Sequence, residues 1–143
     1  MANKSNKNSN QSSQKIPVPL ASLPAALLPW YDREKRSLPW RDIVTPYRTW
    51  VSEIMLQQTR VQAVLPYFER FMAAAPDVPA LAELAEDRLL SLWQGLGYYS
   101  RARSLQRSAR VMVDQYGGCL PDTYSDLIQL PGIGDYTAGA ILS

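Results

Sequence analysis

Histidine is absent from this 143-residue sequence, and cysteine occurs once, at Cys119. Without histidine, imidazole-ligated zinc sites and Ser-His-Asp catalysis are excluded, so any proton transfer must use a carboxylate, a tyrosine, a lysine or water. A single cysteine excludes a disulfide framework. No apolar run approaches the ~20 residues that a membrane span needs. The N-terminus lacks the apolar segment of a secretory signal, so we expect a cytoplasmic protein without a membrane partner.

The net charge is also small: the sequence has 15 Lys and Arg and 13 Asp and Glu, so it carries +2. Lys4, Lys7 and Lys15 lie in the first 20 residues, which contain no acid, so the rest of the chain is nearly neutral. Residues 1–18 consist mainly of Asn, Ser, Gln and Lys. This composition predicts a disordered tail, because it cannot bury enough apolar surface to offset the entropy of ordering. Any affinity for nucleic acid must come from local clusters of charge.

The remaining sequence predicts an all-α fold, a compact domain of many short helices, because no segment alternates polar and apolar residues over a useful length. Capping residues, first-turn prolines and glycine stops delimit the helices. The predicted helices cover 22–36, 45 onward, 61–74, 79–84, 87–94, 100–116, 123 to about 129, and 135 onward. We divide the chain into a tail at 1–18, an N-terminal helical segment at 19–40 and a helical domain at 41–143.

A glycine-containing turn, Pro131-Gly132-Ile133-Gly134, connects the last two predicted helices. Both glycines can take positive φ and let another backbone come close, while Ile133 would plug into the core. The amide groups of the glycines and of the next helical turn would then point outward and favour a phosphate. Taken alone, the motif is equally well interpreted as a plain helix-helix turn. With Leu130 before it and an apolar helix after it, the segment 123–143 is typical of a helix-hairpin-helix, which contacts the DNA backbone without reading bases.

A basic segment without acidic residues runs from 100 to 113. Its arginines are Arg101, Arg103, Arg107 and Arg110, of which the last three share a helical face. A solvated face is the commoner meaning of such a run. However, Tyr98 and Tyr99 directly precede it in a glycine-containing turn, and aromatics beside a basic stripe suit stacking or wedging at an opened base step. We therefore expect Tyr98, Arg101 and Arg103 to contact DNA, whereas Tyr99 fits a core position equally well.

One carboxylate, Glu53, lies within the stretch VSEIMLQQTR of the second predicted helix. Helical spacing predicts that Leu56, Gln57 and Arg60 share its face. A surface glutamate is the commoner interpretation. On the wall of a cleft, burial would raise the pKa of the Glu53 carboxyl and make it a usable general acid near neutral pH.

Four stretches together resemble one family, the adenine DNA glycosylases of the helix-hairpin-helix superfamily. They are LPWR at 38–41, VSEIMLQQTRV at 51–61, LWQGLGYYSRAR at 92–103 and LPGIGDYTAGAI starting at 130. The resemblance extends from about Leu23 to Ser143. Four ordered motifs of this length are far more specific than the hairpin alone.

The resemblance implies base-excision repair by a monofunctional N-glycosylase. Such an enzyme flips adenine out of a mispair with 8-oxoguanine or guanine and hydrolyses its glycosidic bond. The implied partner is double-stranded DNA with such a mispair, bound by a monomer located at the nucleoid.

The resemblance also implies roles for individual residues. Glu53 matches the family's catalytic glutamate, which protonates the departing adenine, and Tyr136 matches its active-site tyrosine. Residues that match the surroundings of the adenine pocket are Trp40, Arg41 and Leu56. Residues that match those entering or contacting the duplex are Gln57, Gln58, Thr59, Arg60 and Tyr98, together with Gly132, Ile133 and Gly134 of the hairpin.

Position 136 separates subfamilies. The related endonuclease III type carries a lysine there, as nucleophile for a Schiff base and strand cleavage, and the tyrosine of this sequence cannot form that imine. The alternatives that stay open are a G:T mismatch glycosylase, an endonuclease III-like enzyme, and a DNA-binding fragment without catalysis.

The sequence departs from the family pattern at its C-terminal end. The family places a catalytic aspartate in a VDGN motif after the hairpin helix, followed by four cysteines for a [4Fe–4S] cluster and by a domain that recognises 8-oxoguanine. The chain ends at Ser143, before all of these. We therefore expect the N-terminal part of a longer enzyme, without turnover by itself and without a metal ligand set; Cys119 is no candidate ligand.

The segment 19–40 would belong to the cluster domain of the intact family. A monovalent cation is expected at the hairpin.

Overall fold

The computed structural model describes residues 38–143, and within this range the chain forms helices and no β-strand. The predicted all-α fold is therefore confirmed. The predicted tail at 1–18 and the helix at 22–36 lie outside the described residues. The helices of the described range are α1 (Pro39–Asp42), α2 (Pro46–Leu56), α3 (Val61–Ala74), α4 (Val78–Glu83), α5 (Glu86–Trp93), α6 (Ser100–Gln115), α7 (Tyr124–Leu127) and α8 (Asp135–Leu142).

Helix α2 starts as its sequence predicts, because the Thr45 side chain accepts a hydrogen bond from the Arg48 amide at 3.1 Å and Pro46 occupies the first turn. Its end differs from the prediction. Gln57 takes an extended backbone conformation and Gln58 a left-handed one. The prediction that Gln57 and Arg60 share the face of Glu53 is wrong, because the helix stops at Leu56. Of the three residues predicted to share it, Leu56 does.

The other helix boundaries lie close to the predicted ones, since local signals set them. Helix α6 ends where two glycines with positive φ follow, and the Gly118 amide donates to the Met112 carbonyl at 2.9 Å. Thr123 caps α7 through its side chain. Helix α3 accommodates Pro66 in its interior. The four-residue helix α1 was not predicted, because it is too short to show a period.

The core is built around the buried face of α2, which packs against α1, α3, α6 and α8. Trp40 of α1 contacts Phe68 of α3 edge to face, with ring centroids 5.1 Å apart. Phe71 meets Trp93 of α5 in the same way at 6.1 Å. Such aromatic pairs add to the free energy gained by burying apolar area. Leu38–Ser143 forms one unit, so Trp40 lies inside it.

One buried polar side chain, Gln106, fastens α4 to α6. Its Nε2 donates to the carbonyl oxygens of Leu81 at 3.1 Å and Leu84 at 2.6 Å, at the end of α4. The end of a helix leaves carbonyls short of intrahelical donors, and here the Leu84 amide reaches the Leu81 carbonyl only at 3.3 Å. Gln106 therefore supplies donors that the short helix α4 lacks.

We expect Gln106→Leu to lower the free energy of unfolding by about 1–3 kcal/mol, because a side chain of similar size removes the hydrogen bonds to the Leu81 and Leu84 carbonyls. Urea denaturation measures this difference. The matched control is Arg107→Ala at the neighbouring exposed position, which should change stability by about 0.5 kcal/mol or less. Equal unfolding midpoints for Gln106→Leu and the parent protein would contradict the role of these bonds.

Candidate active site

A cleft of about 500 Å³ lies where α1, the start of α2 and the end of α8 meet. Trp40 and Arg41 of α1 line one side of it. The structure thus brings the predicted pocket residues Trp40, Arg41 and Leu56 around the carboxyl of Glu53. The α2 wall of the cleft consists of Thr49, Ser52, Glu53 and Leu56, whose spacing puts them on one helical face.

Glu53 is half-buried in this cleft. Burial raises the pKa of its carboxyl, and the nearby positive charge of Arg41 offsets part of that rise. Burial penalises the charged form, so the group keeps its proton to a higher pH than an exposed glutamate does. The cleft thus favours the protonated form of Glu53, which is the form that a general acid needs.

Several lining groups of the cleft were missed by sequence reasoning. Thr49 and Ser52 stand four residues and one residue before Glu53, a spacing that the sequence does contain. The Ser52 hydroxyl is buried and donates to the Thr49 carbonyl at 2.9 Å, so it stiffens the wall. The residues Ala140 to Ser143 also line the cleft. No sequence signal links them to Glu53, because only tertiary packing brings α8 beside α2.

Tyr136 is placed differently from the cleft residues. Its side chain is 80% exposed, and it is not among the residues lining the cleft. It lies in the first turn of α8, one turn before Ala140, so the two share a helical face. The described residues therefore leave the Tyr136 hydroxyl in solvent rather than against Glu53.

The hairpin has the predicted shape with one difference. Ile133 is buried, and Gly132 has a φ of +80°. Gly134 instead takes an extended conformation with a φ of −100°, so a left-handed backbone is needed at one glycine rather than two. The amide groups of Gly132 and Gly134 donate to no acceptor between residues 38 and 143. They are therefore free for an anion.

An acidic residue, Asp135, follows the hairpin directly in the first turn of α8. The Tyr124 hydroxyl of α7 donates a hydrogen bond to its carboxylate. This hydrogen bond is the main cause of the raised pKa of the Tyr124 phenol. The carboxylate would repel a phosphate at the hairpin, and the bond to Tyr124 ties it to one position.

Two exposed residues predicted to enter the duplex share an unusual backbone. Gln58 and Tyr98 are the non-glycine residues with positive φ in the range 38–143, at 60° and 53°. Both lie in turns, and Tyr98 is 62% exposed. Thr59 and Arg60 follow Gln58 and precede α3. Both side chains are exposed, as a wedge requires, and their backbone conformation is uncommon for residues other than glycine.

The predicted arginine stripe has exposed Arg103, Arg107 and Arg110 on one face of α6. Arg103 pairs with Glu86 at 3.1 Å, so part of its charge is compensated. Arg110 donates through Nε to the Ala82 carbonyl at 3.0 Å. Arg101 donates to backbone carbonyls of two separate turns. The structure thus turns the Arg101 guanidinium toward the end of α2 and the Gly97 carbonyl, and its contact with DNA stays a prediction.

The expected [4Fe–4S] cluster does not fit the residues of this chain. Between residues 38 and 143 no three His, Cys, Asp or Glu side chains are grouped so that they could hold a metal ion. The whole sequence has one cysteine, whereas such a cluster takes four.

Among helices α1 to α8, none has the length and apolar character to cross a membrane.

Comparison with known families defines the class of protein. The family model described as "HhH-GPD superfamily base excision DNA repair protein" matches residues 51–140. This range runs from the glutamate on α2 to the helix after the hairpin. The chain belongs to this superfamily of base excision DNA repair proteins.

Individual relatives narrow the class. The chain is 46% identical over 118 residues to an adenine DNA glycosylase of Buchnera aphidicola subsp. Baizongia pistaciae. It is 48% identical over 127 residues to one of Homo sapiens. Each alignment covers 82% of this chain, but 34% and 23% of the respective relative. The chain thus spans about a third or less of the length of the curated relatives it matches.

Two solved structures have a similar fold. A thermostable thymine-DNA glycosylase matches with a TM-score of 0.71 and 26% identity, covering 82% of this chain and 55% of that one. A non-covalent endonuclease III–DNA complex matches with a TM-score of 0.65 over 85% of this chain and 60% of that one. Its identity is 19%, so this similarity concerns the fold alone.

The two hairpin glycines generate a matched pair of substitutions. Gly132→Ala should destabilise the fold by about 1–3 kcal/mol, because alanine is strained at the positive φ of this position. The added Cβ would also lie 3.1 Å from the Ser104 Cβ. Gly134→Ala meets no atom within 4 Å and should leave thermal stability nearly unchanged. It should still weaken binding to every duplex alike, since a methyl group would cover the amides that face a phosphate. A loss confined to mispaired DNA would contradict this interpretation of the hairpin.

The raised pKa of Glu53 predicts a pH-dependent stability. The buried carboxylate disfavours the folded state at pH values above its folded pKa, and this penalty disappears below the ordinary pKa of glutamate, about 4.3. Glu53→Gln should therefore be more stable than the parent protein at pH 7.5, with the difference vanishing toward pH 4. Thermal unfolding across this range tests it, with the exposed Glu69→Gln as control. A variant less stable at pH 7.5 would contradict the assigned burial penalty.

Proposed function

We propose that the protein is a monofunctional DNA N-glycosylase that removes adenine mispaired with 8-oxoguanine or guanine. The observation that carries this proposal is Glu53, whose carboxyl has a raised pKa in a cleft walled by Trp40, Arg41 and Leu56. The names of the relatives that share these motifs support adenine as the substrate base. We further infer that the protein acts as a monomer at the nucleoid of the cytoplasm.

The cleft suits a base that has left the duplex. An enzyme of this class must extrude the nucleotide, since its glycosidic bond cannot be reached inside the stack. Leu56 and the edge of Trp40 would provide apolar contact for a flat purine, with Arg41 at the same wall. A cavity of about 500 Å³ leaves ample room for one base.

Glu53 would act as the general acid of the reaction. Adenine is a poor leaving group as an anion, so a proton delivered to the ring allows the glycosidic bond to break toward an oxocarbenium-like sugar. Burial in the cleft raises the pKa of the Glu53 carboxyl, which favours its proton-donating form. Once deprotonated, the same carboxylate could accept a proton from the attacking water, as in glycoside hydrolysis.

The second charge that such a reaction needs is not supplied by the described cleft. Glu53 is the only carboxylate among the residues that line it. We expect the described residues to provide base binding and proton donation, and the family's catalytic aspartate to come from outside them. Preorganised countercharges of this type contribute about 10²–10³ in rate. No step is assigned to an iron–sulfur cluster, since its ligands are not among these residues.

Different turns of the protein would bind different parts of the duplex. The free amides at Gly132 and Gly134 would hold a phosphate, and Gln58 and Tyr98 would fill the space that the extruded base leaves. Tyr136 has no amine, so the sugar would be attacked by water rather than trapped as an imine. The product would be an abasic site in an uncut strand.

A thymine-releasing activity is the second candidate, because a thymine-DNA glycosylase has a similar fold at 26% identity. The two candidates make different demands on Glu53. Adenine has basic ring nitrogens that can be protonated before it leaves, whereas thymine has none and leaves as an anion. Release of thymine from G:T duplexes, with Glu53→Gln little affected, would favour the second candidate.

Glu53→Gln in the full-length protein should reduce adenine release from an A:8-oxoguanine duplex by about 10²–10⁴, because the amide cannot deliver the proton. Binding of the mispair should stay within a few-fold. Single-turnover release of free adenine measures the first effect and gel mobility the second. Glu69→Gln, on an exposed face of α3, is the matched control. Excision at a near-parental rate would remove Glu53 from the proposed mechanism.

A further inference from the structure

Arg101 lies at the start of α6, and its guanidinium connects two turns that are distant in the sequence. Its Nη1 donates to the carbonyl oxygens of Ile54 at 2.7 Å and Met55 at 3.3 Å, and also to that of Gln57. Its Nη2 donates to the Gly97 carbonyl at 3.2 Å. A flexible ammonium group could not reach both turns, whereas the planar, five-donor guanidinium does.

The carbonyls of Gln57 and Gly97 have a special position. They belong to the peptide groups directly before Gln58 and Tyr98, the two residues of the described range that combine a Cβ with a positive φ. The angle φ of Gln58 or Tyr98 describes rotation about its N–Cα bond, and that nitrogen belongs to the preceding peptide group. Holding the peptide group in place therefore opposes relaxation of the strained residue.

Further contacts of Arg101 act in the same direction. Its amide donates to the Tyr98 carbonyl at 2.9 Å, and its guanidinium lies 5.5 Å from the ring centre of Tyr98. The buried Trp93 also donates to the Gly97 carbonyl, through Nε1 at 3.0 Å. At the other turn, the positively charged guanidinium meets the negative end of the α2 dipole.

We propose that Arg101 is a positioning residue that holds Gln58 and Tyr98 in their left-handed conformations, so that both project into the duplex as the base is extruded. Its guanidinium donates to backbone carbonyls of the protein and does not contact a phosphate. The part that concerns DNA rests on the proposed function. The part that concerns backbone strain stands on the structure of this chain alone.

The first test uses no DNA and follows the coupling of Arg101 to Gln58. Arg101→Ala, Gln58→Gly and the double variant are compared with the parent protein by urea denaturation. Removing Arg101 lets the strained Gln58 relax, which offsets part of the lost bonding, whereas glycine takes positive φ without strain and has nothing to relax. The equilibrium constant of unfolding should therefore respond about tenfold more to Arg101→Ala when Gln58 is glycine. Equal responses in both backgrounds would overturn the positioning role.

The second test follows base extrusion. The full-length protein and its variants are titrated onto a duplex with 2-aminopurine opposite 8-oxoguanine, over a series of salt concentrations. Arg101→Ala should lower the fluorescence rise of the unstacked base by about tenfold, the population change that strain of this kind supports. The slope of log affinity against log salt should stay unchanged, since no phosphate contact is lost.

Arg101→Lys is a second variant, which keeps the test valid if Arg101→Ala does not fold. Lysine keeps the charge but cannot join both turns, so base extrusion should fall while the salt slope is preserved. Normal extrusion by Arg101→Lys, or a salt slope lowered by about one in Arg101→Ala, would identify an ordinary phosphate contact and overturn the proposal. Arg103→Ala provides the comparison for an exposed arginine of the same helix.

The two tests separate the two hypotheses. If the parent protein does not unstack the probe base, the proposed function fails, and the DNA-free comparison still decides whether Arg101 holds Gln58. If the parent protein unstacks the base and Arg101→Ala does so equally well, the proposed function survives and the positioning role is overturned.

Discussion

The burial of one face of α2 is the constraint on which the arrangement of the cleft and the turns depends. Trp50, Val51 and Met55 are fully enclosed, and α2 packs against α1, α3, α6 and α8. Burial of a large apolar side chain contributes about 1.5–3 kcal/mol, so several of them leave α2 a single orientation. The opposite face, which bears Glu53, is thereby aimed at the cleft. The position of the carboxyl is a consequence of packing on the other side of the same helix.

Chemistry and DNA contact are assigned to different kinds of backbone. The candidate acid stands on a regular helix, where packing limits its movement. The residues expected to touch DNA lie in tight turns, at Gln58, Tyr98 and Gly132, where left-handed backbone directs groups outward. Such turns are strained unless neighbouring groups hold them. Arg101 is the group that meets two of them, which explains why a charge from the basic segment is turned inward.

The surface near the hairpin is less basic than a run of arginines indicates. Arg103 is paired with Glu86, and Arg101 is bound to carbonyls. Asp135 adds a negative charge beside the turn, where Tyr124 hydrogen-bonds it. Backbone amides therefore form a large part of what this face offers to a phosphate. Amides at a helix N-terminus favour a phosphate without regard to base sequence.

The sequence by itself determined the helix starts, the glycine stops, the buried Ile133 and the candidate role of Glu53, because caps, turns and periodicity act within a few residues. The tertiary structure decided the rest. Helix α2 stops at Leu56 without a glycine or proline to mark its end, so Gln57 and Arg60 leave the face of Glu53. Arg101 turns inward because its carbonyl partners lie in a turn more than 40 residues earlier in the chain. No local pattern encodes a contact between residues that only the folded chain brings together.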